Sequence, residues 1–592
     1  MRSTGKLDTL QENMVDYGYQ STGGKVMLQQ LYTARGKTLE GTPWTIYPRP
    51  QMRRNSYLNL NGAWAFSCNY GEPEGVKTIT VPFCPESVLS GINHHFPEGA
   101  WLCYTRKLIL PEGFNRGRVL LHIGAADQAA EVFVNRKKVL RHEGGYESFT
   151  ADITNYLQEE NILMIGCTDS LQDPSFPYGK QVKNRGGMWY TPVSGIWQTV
   201  WLESVPETHI EKLNIESRGY SVTISTVPAL DGTVTVQGLG EFSLENGSVT
   251  ITPENPRLWS PEDPCLYDFT VECGEDRVES YFAIRSLEIK KVGEYPRLCL
   301  NGKPYFFHAL LDQGYWPDGI YTPAAPECYA DDILAMKNLG FNTFRKHIKI
   351  EAEEFYHQCD KLGMIVFQDM VNNSDYHFIR DTALPTVFPG YQKRCDRKLH
   401  LNSAHRQRFL EAMEGTVEQL RNHPCICYWT IFNEGWGQFD ADAVCERFRK
   451  LDDTRFIDAT SGWFRQNQSD VDSRHVYFRK VNLKGDGVKP LIVSEFGGKT
   501  LKIEDHVFNP DKSYGYGGCK HEEELSHSVV KLYMEEILPC VKNGLCGAVY
   551  TQVSDVEDEI NGLVTYDRRI VKLNPEKMRP VAEALQKAVS EK

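Results

Sequence analysis

The sequence predicts a multidomain chain in which two all-β sandwich domains precede a (β/α)8 TIM barrel, and three observations carry that reading. Short alternating apolar runs separated by turn-rich stretches fill the first half. After Leu300-Asn-Gly-Lys-Pro304 the texture changes to strand-like runs alternating with amphipathic helical stretches, the pattern of βα units around a parallel sheet. Eight strand candidates then follow before the chain ends, the number a closed barrel needs.

Taken in order, residues 1–45 are polar and weakly patterned, with one short helix expected around Val26 to Tyr32, and are read as an N-terminal extension. Residues 46–206 carry runs such as Val119-Leu-Leu-His-Ile123 and Ala130-Glu-Val-Phe-Val134, expected to form a jelly-roll sandwich. Residues 207–287 continue with Val222-Thr-Ile-Ser-Thr, Thr233-Val-Thr-Val and Ser248-Val-Thr-Ile-Thr, a length and rhythm suited to an immunoglobulin-like β-sandwich. Residues 288–592 are the barrel. Its strands are expected at Tyr305–Leu310, Phe341–Phe344, Met364–Gln368, Ile426–Phe432, Phe456–Thr460, His475–Phe478, Leu491–Ser494 and Ala548–Gln552, with helices such as Asp331–Leu339 and Arg406–Arg421 between them.

Composition narrows the partners. A chain of 592 residues is too long for one core. With 65 basic against 78 acidic residues and a net charge of −13, it is not built for nucleic acid or an anionic membrane surface. The 16 cysteines are scattered without a paired Cys-x-x-Cys pattern, so reduced thiols in a cytoplasmic protein are expected. Met1 to Tyr17 contains Arg2, Lys6, Asp8, Glu12 and Asp16 and lacks the apolar core of a signal peptide, and no later run reaches the ~18 apolar residues of a membrane span.

In a barrel of this kind chemistry sits at the C-terminal ends of the strands. There the sequence places His308 and Asp312, Arg345, Asp369, Asn433-Glu434, Trp463, Tyr477, Glu495, and Gln552 with Asp555. Two acids stand out. Trp429-Thr-Ile-Phe-Asn433-Glu434 is an apolar strand delivering an amide and an acid side by side, and Pro490-Leu-Ile-Val-Ser-Glu495 delivers a lone acid. Hydrolysis of a glycoside with retention needs two such carboxyls about 5–5.5 Å apart, one reaching the anomeric carbon and the other the glycosidic oxygen. The nucleophile must stay ionised, accepting hydrogen bonds from donors such as Arg345 and Tyr477, while the general acid must keep its proton. Asn433 suits the sugar 2-hydroxyl.

The chain resembles glycoside hydrolase family 2, which holds β-galactosidases, β-glucuronidases and β-mannosidases. The first β domain carries Leu58-Asn-Leu-Asn-Gly-Ala-Trp64, Val132-Phe-Val-Asn135, His142-Glu-Gly-Gly-Tyr146 and Ser194-Gly-Ile-Trp-Gln198; the second carries Leu258-Trp-Ser-Pro261, Pro264-Cys-Leu-Tyr267 and Phe282-Ala-Ile-Arg285. The resemblance implies that the first domain is a sugar-binding jelly roll, that Glu434 is the acid/base and Glu495 the nucleophile, and that Arg345, Asn433, Trp463 and Tyr477 line the cleft. It implies a carbohydrate substrate, no cofactor, and a homo-oligomer as often found in the family. The family's glucuronidases carry an Asn-x-Lys beyond strand eight that grips the sugar carboxylate; here the matching stretch is Asn561-Gly-Leu563. A terminal β-galactoside is therefore the expected substrate, with β-mannoside, β-glucuronide or a less common sugar as alternatives, and a non-catalytic carbohydrate-binding protein as the rival from another class.

Several residues carry weaker expectations. His308, His347 and His475 fall at strand ends and could meet sugar hydroxyls, and His475 competes with Tyr477 for the nucleophile. No His-x-His closes strand one, so no metal centre is expected. Trp316, Trp436 and Trp463 could stack on a pyranose, Trp463 foremost. Asp312 and Asp318 could bond substrate. Of the acidic run Asp555, Glu557, Asp558 and Glu559, read as a solvated loop, only Asp555 is expected near the site, and Lys180 to Arg185 is a basic loop that could reach the barrel mouth but reads first as a plain surface loop.

Overall fold

The computed structural model describes residues 28–69, 75–388, 390–391 and 395–591. The leading part of the N-terminal extension, with the start of the helix expected at Val26, lies outside the described residues. Leu28 to Tyr32 has no regular structure, and one turn of helix forms instead at Ala34–Lys37, where the Thr33 side chain caps Gly36 N–H.

Burial patterns separate the two halves of the molecule. In the first domain Ala129–Val134 alternates buried and half-buried, and a four-stranded sheet (57–59, 200–205, 118–123, 149–152) faces a six-stranded one. Trp64, Tyr104, Leu121 and Val132 meet between the sheets. In the second domain a three-stranded sheet (212–218, 221–227, 248–251) faces a four-stranded one around Ile224, Val234 and Val271. Strands such as Ala129–Val134 in these antiparallel sheets keep one wetter face, whereas Val200–Val205 is buried on both. Seven of the eight barrel strands are buried on both sides, Ile426–Asn433 along all eight residues, as parallel strands covered by helices must be, and only Asp472–Val476 keeps half-buried positions.

Numbered within the barrel, the strands are β1 Phe307–Asp312, β2 Thr343–Lys346, β3 Ile365–Asp369, β4 Ile426–Asn433, β5 Phe456–Ser461, β6 Asp472–Val476, β7 Leu491–Phe496 and β8 Leu545–Tyr550. Hydrogen bonding runs β5-β4-β3-β2-β1-β8-β7-β6, every pairing parallel, so the ring is nearly closed with its seam between β5 and β6. Helices Ser403–Leu420 and Pro575–Ser590 begin before their apolar periodicity does, because Asn402 and Asn574 cap them by accepting backbone N–H bonds. Among the described residues no helix is long and apolar enough to cross a membrane.

The β domains are tied together and to the barrel by buried polar contacts. Glu203 of the first domain accepts from Arg49 at 2.7 and 2.8 Å and from Arg54 at 2.9 Å, and Arg54 also grips Asp276 of the second domain through two bonds of 2.9 Å. Burial opposes charge on Glu203, but Arg49, His122 and Arg54 outweigh it and hold the carboxyl well below the usual range. Arg285 of the second domain donates to the carbonyls of Pro424 and Ile426 at the foot of β4, fixing the strand that ends in Glu434.

Candidate active site

Glu495 sits in β7, nearly buried, and both its oxygens are engaged. Arg345 from β2 donates to Oε1 at 3.0 Å and the Tyr477 hydroxyl donates to Oε2 at 2.8 Å. Arg345 itself is buried and fully committed: it also donates to Asp369 Oδ1 at 3.0 Å, the Ser494 carbonyl at 3.0 Å and Asn433 Oδ1 at 2.8 Å. Burial alone would push the Glu495 pKa up. The neighbouring His475, Arg345 and His347 side chains and the Tyr477 hydrogen bond win, bringing it down to about 2, so this carboxyl is ionised at neutral pH. Asp369 is likewise held low by Arg345 and His347 against its burial.

Glu434 follows β4 with a backbone φ of +52°, a left-handed conformation rare for a residue with a side chain. Its N–H reaches across to the Ser461 carbonyl at the end of β5 at 2.9 Å, which holds the turn and with it the carboxyl. Held strain of this kind concentrates at functional positions. His475 stands between the two acids, Nδ1 2.8 Å from Glu434 Oε1 and 3.5 Å from Glu495 Oε2, with Nε2 at 3.0 Å from the Ser461 hydroxyl. One donor atom each from Glu434, His475 and Glu495 lie within 4.8 Å of one another, the one such grouping able to offer three metal ligands among the described residues. Arg345 and Tyr477 already occupy Glu495. The arrangement therefore suits a proton donor and an anionic nucleophile facing a single reacting centre.

A cleft enclosing roughly 850 Å³ of atom-free space opens over these acids, and Leu311, Gln313, His347, Trp463, Tyr477 and Thr551 are among the residues lining it. Trp463 is buried to 3% exposure with its ring 5.5 Å from that of His475, and its indole N–H has no partner. Arg345, Asn433 and Asp369 form the layer beneath. Asn433 is fixed by Arg345 through its oxygen, and its amide N–H groups carry no protein partner among the described residues.

Other expected residues lie elsewhere. β1 begins two residues later than expected, which puts His308 at its lower end, where Nδ1 meets the Gly340 carbonyl and the ring packs on Phe341 and Tyr533. Asp312 is consumed by the Lys346 ammonium and the Gly314 N–H. Gln552 is fully buried, accepting from Gln313 and donating to Asn561, so it braces a lining residue without being one. Asp555 binds the Lys572 ammonium at 2.6 and 2.7 Å and the Gly562 N–H. Asp369 touches Arg345 and His347, not the cleft. Asp318 holds the N-terminal segment through Thr33, and Trp316 and Trp436 are buried.

The acidic run is buried, not solvated. Glu557 and Asp558 face Arg185, and Glu559 lines the cleft while accepting from Tyr190 and Asn561. The basic loop of the first domain likewise reaches the barrel mouth, with Lys180 in the cleft lining. Neither was readable from local pattern, because the partners lie more than 300 residues apart in sequence.

Two β-sandwiches thus lead into a barrel whose mouth holds two facing, differently braced carboxyls. Comparison with known proteins agrees: the glycosyl hydrolases family 2 models match the sugar-binding domain over residues 90–206, a central domain over 204–285 and the TIM barrel domain over 298–570. The chain belongs to glycoside hydrolase family 2. It is 26% identical to human β-glucuronidase over 467 residues, covering 66% of this chain and 65% of that protein, and 24% identical to a β-galactosidase of Thermoanaerobacter pseudethanolicus, covering 67% and 53%. The chain thus spans somewhat under two thirds of the length of these curated relatives. The β-D-glucuronidase structure from Dictyoglomus thermophilum superposes with a TM-score of 0.69 at 19% identity, over 92% of this chain and 99% of that one, which shows a shared fold.

Proposed function

We propose that the protein is a retaining exo-β-glycosidase acting through a covalent glycosyl-enzyme. The observation that carries this is the pair of acids within 4.8 Å of each other, one ionised by Arg345 and Tyr477 and the other on a strained turn beside His475. Glu495 attacks the anomeric carbon and forms an ester as the Glu434 proton passes to the glycosidic oxygen and the aglycone leaves as an alcohol. Glu434 then takes a proton from water, which attacks the same carbon and releases Glu495 as carboxylate. Asn433, with free amide N–H groups beside Glu434, donates to the 2-hydroxyl. None of the sixteen cysteines is in a disulfide, which supports a reducing, cytoplasmic setting.

Relatives bear both sugar names, glucuronidase and galactosidase. The absence of a lysine at Leu563 favours a neutral sugar such as β-galactoside, whereas Lys180 in the cleft lining favours an acidic one. A panel of nitrophenyl β-glycosides tests the reaction itself. Turnover of at least one sugar is expected, with Glu495→Gln lowering it on the order of 10⁵-fold. No turnover of any sugar would leave a non-catalytic carbohydrate binder, and undiminished turnover in Glu495→Gln would remove the nucleophile role. Proton NMR of the first-formed sugar should show the β-anomer; the α-anomer removes the nucleophile role.

A further inference from the structure

Leu563 is itself wholly buried, its N–H bonded to the Gln552 and Val553 carbonyls, so that position offers nothing to a ligand here. A cation reaches the cleft by another route. Lys180 belongs to the first β domain, is about nine-tenths buried, and lines the cleft. No carboxylate lies within 4.0 Å of its ammonium among the described residues, although buried lysines are rarely left unpaired. The ammonium rests over the Trp189 ring, 5.0 Å from its centre.

Its segment is clamped to the barrel. Tyr178 N–H and Gly179 N–H donate to the Asn372 carbonyl, the Tyr178 hydroxyl to the Ser374 carbonyl at 2.8 Å, and Tyr190 N–H to the Lys180 carbonyl at 3.0 Å. The charge is therefore held in place before any ligand arrives. Glu559 does not neutralise it. Both Glu559 oxygens already accept hydrogen bonds, from Tyr190 and Asn561, and burial raises that carboxyl above its ordinary range.

The charged groups that Lys180 acts on are His347 beyond β2 and Glu559 beyond β8, and Gln313 beyond β1 lies in the arc between them. In an eight-strand ring β8 lies across from β4. A pyranose with its anomeric carbon on Glu495 and its glycosidic oxygen toward Glu434 extends toward that arc, carrying its C5 substituent away from the acid. We infer that Lys180 is the specificity residue of the cleft, recognising the carboxylate of a terminal β-linked hexuronic acid. The inference rests on the glycosidase reading for its orientation of the sugar, not for the cation site itself.

Two measurements separate the inference from that reading. In the first, nitrophenyl β-D-glucuronide and β-D-galacturonide are compared with the matching neutral glucoside and galactoside. An acidic sugar should exceed its neutral counterpart at least 100-fold in kcat/KM, Lys180→Met should cut that ratio about 10- to 100-fold, the worth of one charge-assisted hydrogen bond, and Lys180→Arg should restore part of it. A neutral sugar preferred by the wild type, a ratio unmoved by Lys180→Met, a ratio that follows Arg479→Met at the exposed rim instead, or preference for a 6-sulfated galactoside overturns it. The wild-type ratio decides even if Lys180→Met fails to fold. In the second, calorimetry follows free glucuronate and galacturonate binding to wild type and to Lys180→Met. Binding lost in the variant supports Lys180 even where no glycoside is turned over, which would sink only the hydrolase reading; turnover of neutral sugars without uronate binding sinks only Lys180.

Discussion

The floor and the wall of the cleft are made by different means. The floor comes from barrel strands: Glu495, Arg345, Asp369 and Asn433 are locked by one continuous set of hydrogen bonds on β2, β3, β4 and β7. The wall comes from residues 178–191 of the first β domain, laid across the barrel mouth and joined to it through Tyr178, Arg185 and Tyr190. Rigid strands can hold reacting groups to within a few tenths of an ångström, which bond making requires. A docked loop tolerates change and so suits selection among substrates. The proposed reaction and the proposed sugar recognition thus fall on separate pieces of chain.

That division can be broken at several points. After Glu495, the largest effect is expected at Glu434. Glu434→Gln should lower turnover of nitrophenyl glycosides about 10²- to 10⁴-fold, and less for a dinitrophenyl glycoside whose leaving group needs no proton in the first step. An equal loss with both leaving groups would remove the acid role. Arg345→Met strips Asp369 and Glu495 of their shared buried partner, so urea titration should show about 3–5 kcal/mol lost along with activity. A fully stable variant would mean that the floor is not held by charge.

The wall should respond more gently. Tyr190→Phe leaves a Glu559 oxygen without its donor, at a cost of about 1–3 kcal/mol, and should raise KM more than it lowers kcat. A fall confined to kcat would place the wall in the chemistry after all. The smallest effect is in acid. Glu495 has a folded pKa of about 2, below the ~4.3 of an unfolded glutamate, so it contributes stability that is fully present above pH ~4.3 and is lost as pH falls toward 2. Glu495→Gln should flatten that limb of an acid-unfolding curve while leaving neutral pH little changed in shape.

The same contrast explains what could be read from sequence. The strands carrying Asn433-Glu434 and Ser494-Glu495 are largely apolar runs with a polar pair at or near the end, a signal contained in a few neighbouring positions. The two-residue error at β1 that misplaced His308 arose because Tyr305 to Leu311 is apolar nearly throughout and marks neither end. Asp312, Asp369, Gln552 and Asp555 were rightly polar but belong to the support of the site, since Lys346, Arg345, Asn561 and Lys572 take up their hydrogen-bonding capacity. The wall was illegible for a different reason. Nothing near Lys180 or Glu559 in sequence distinguishes them from surface charges; only the docking of two domains buries them.

Glu203 carries a last consequence. Its carboxylate receives arginines from the segment leading into the first sandwich, and one of them reaches on to Asp276 in the second. Pulling the sandwiches apart would strand a charge that only water could then satisfy. The stabilities of the two sandwiches are therefore coupled through Arg54, whose loss would take an ion-pair partner from a buried acid in each.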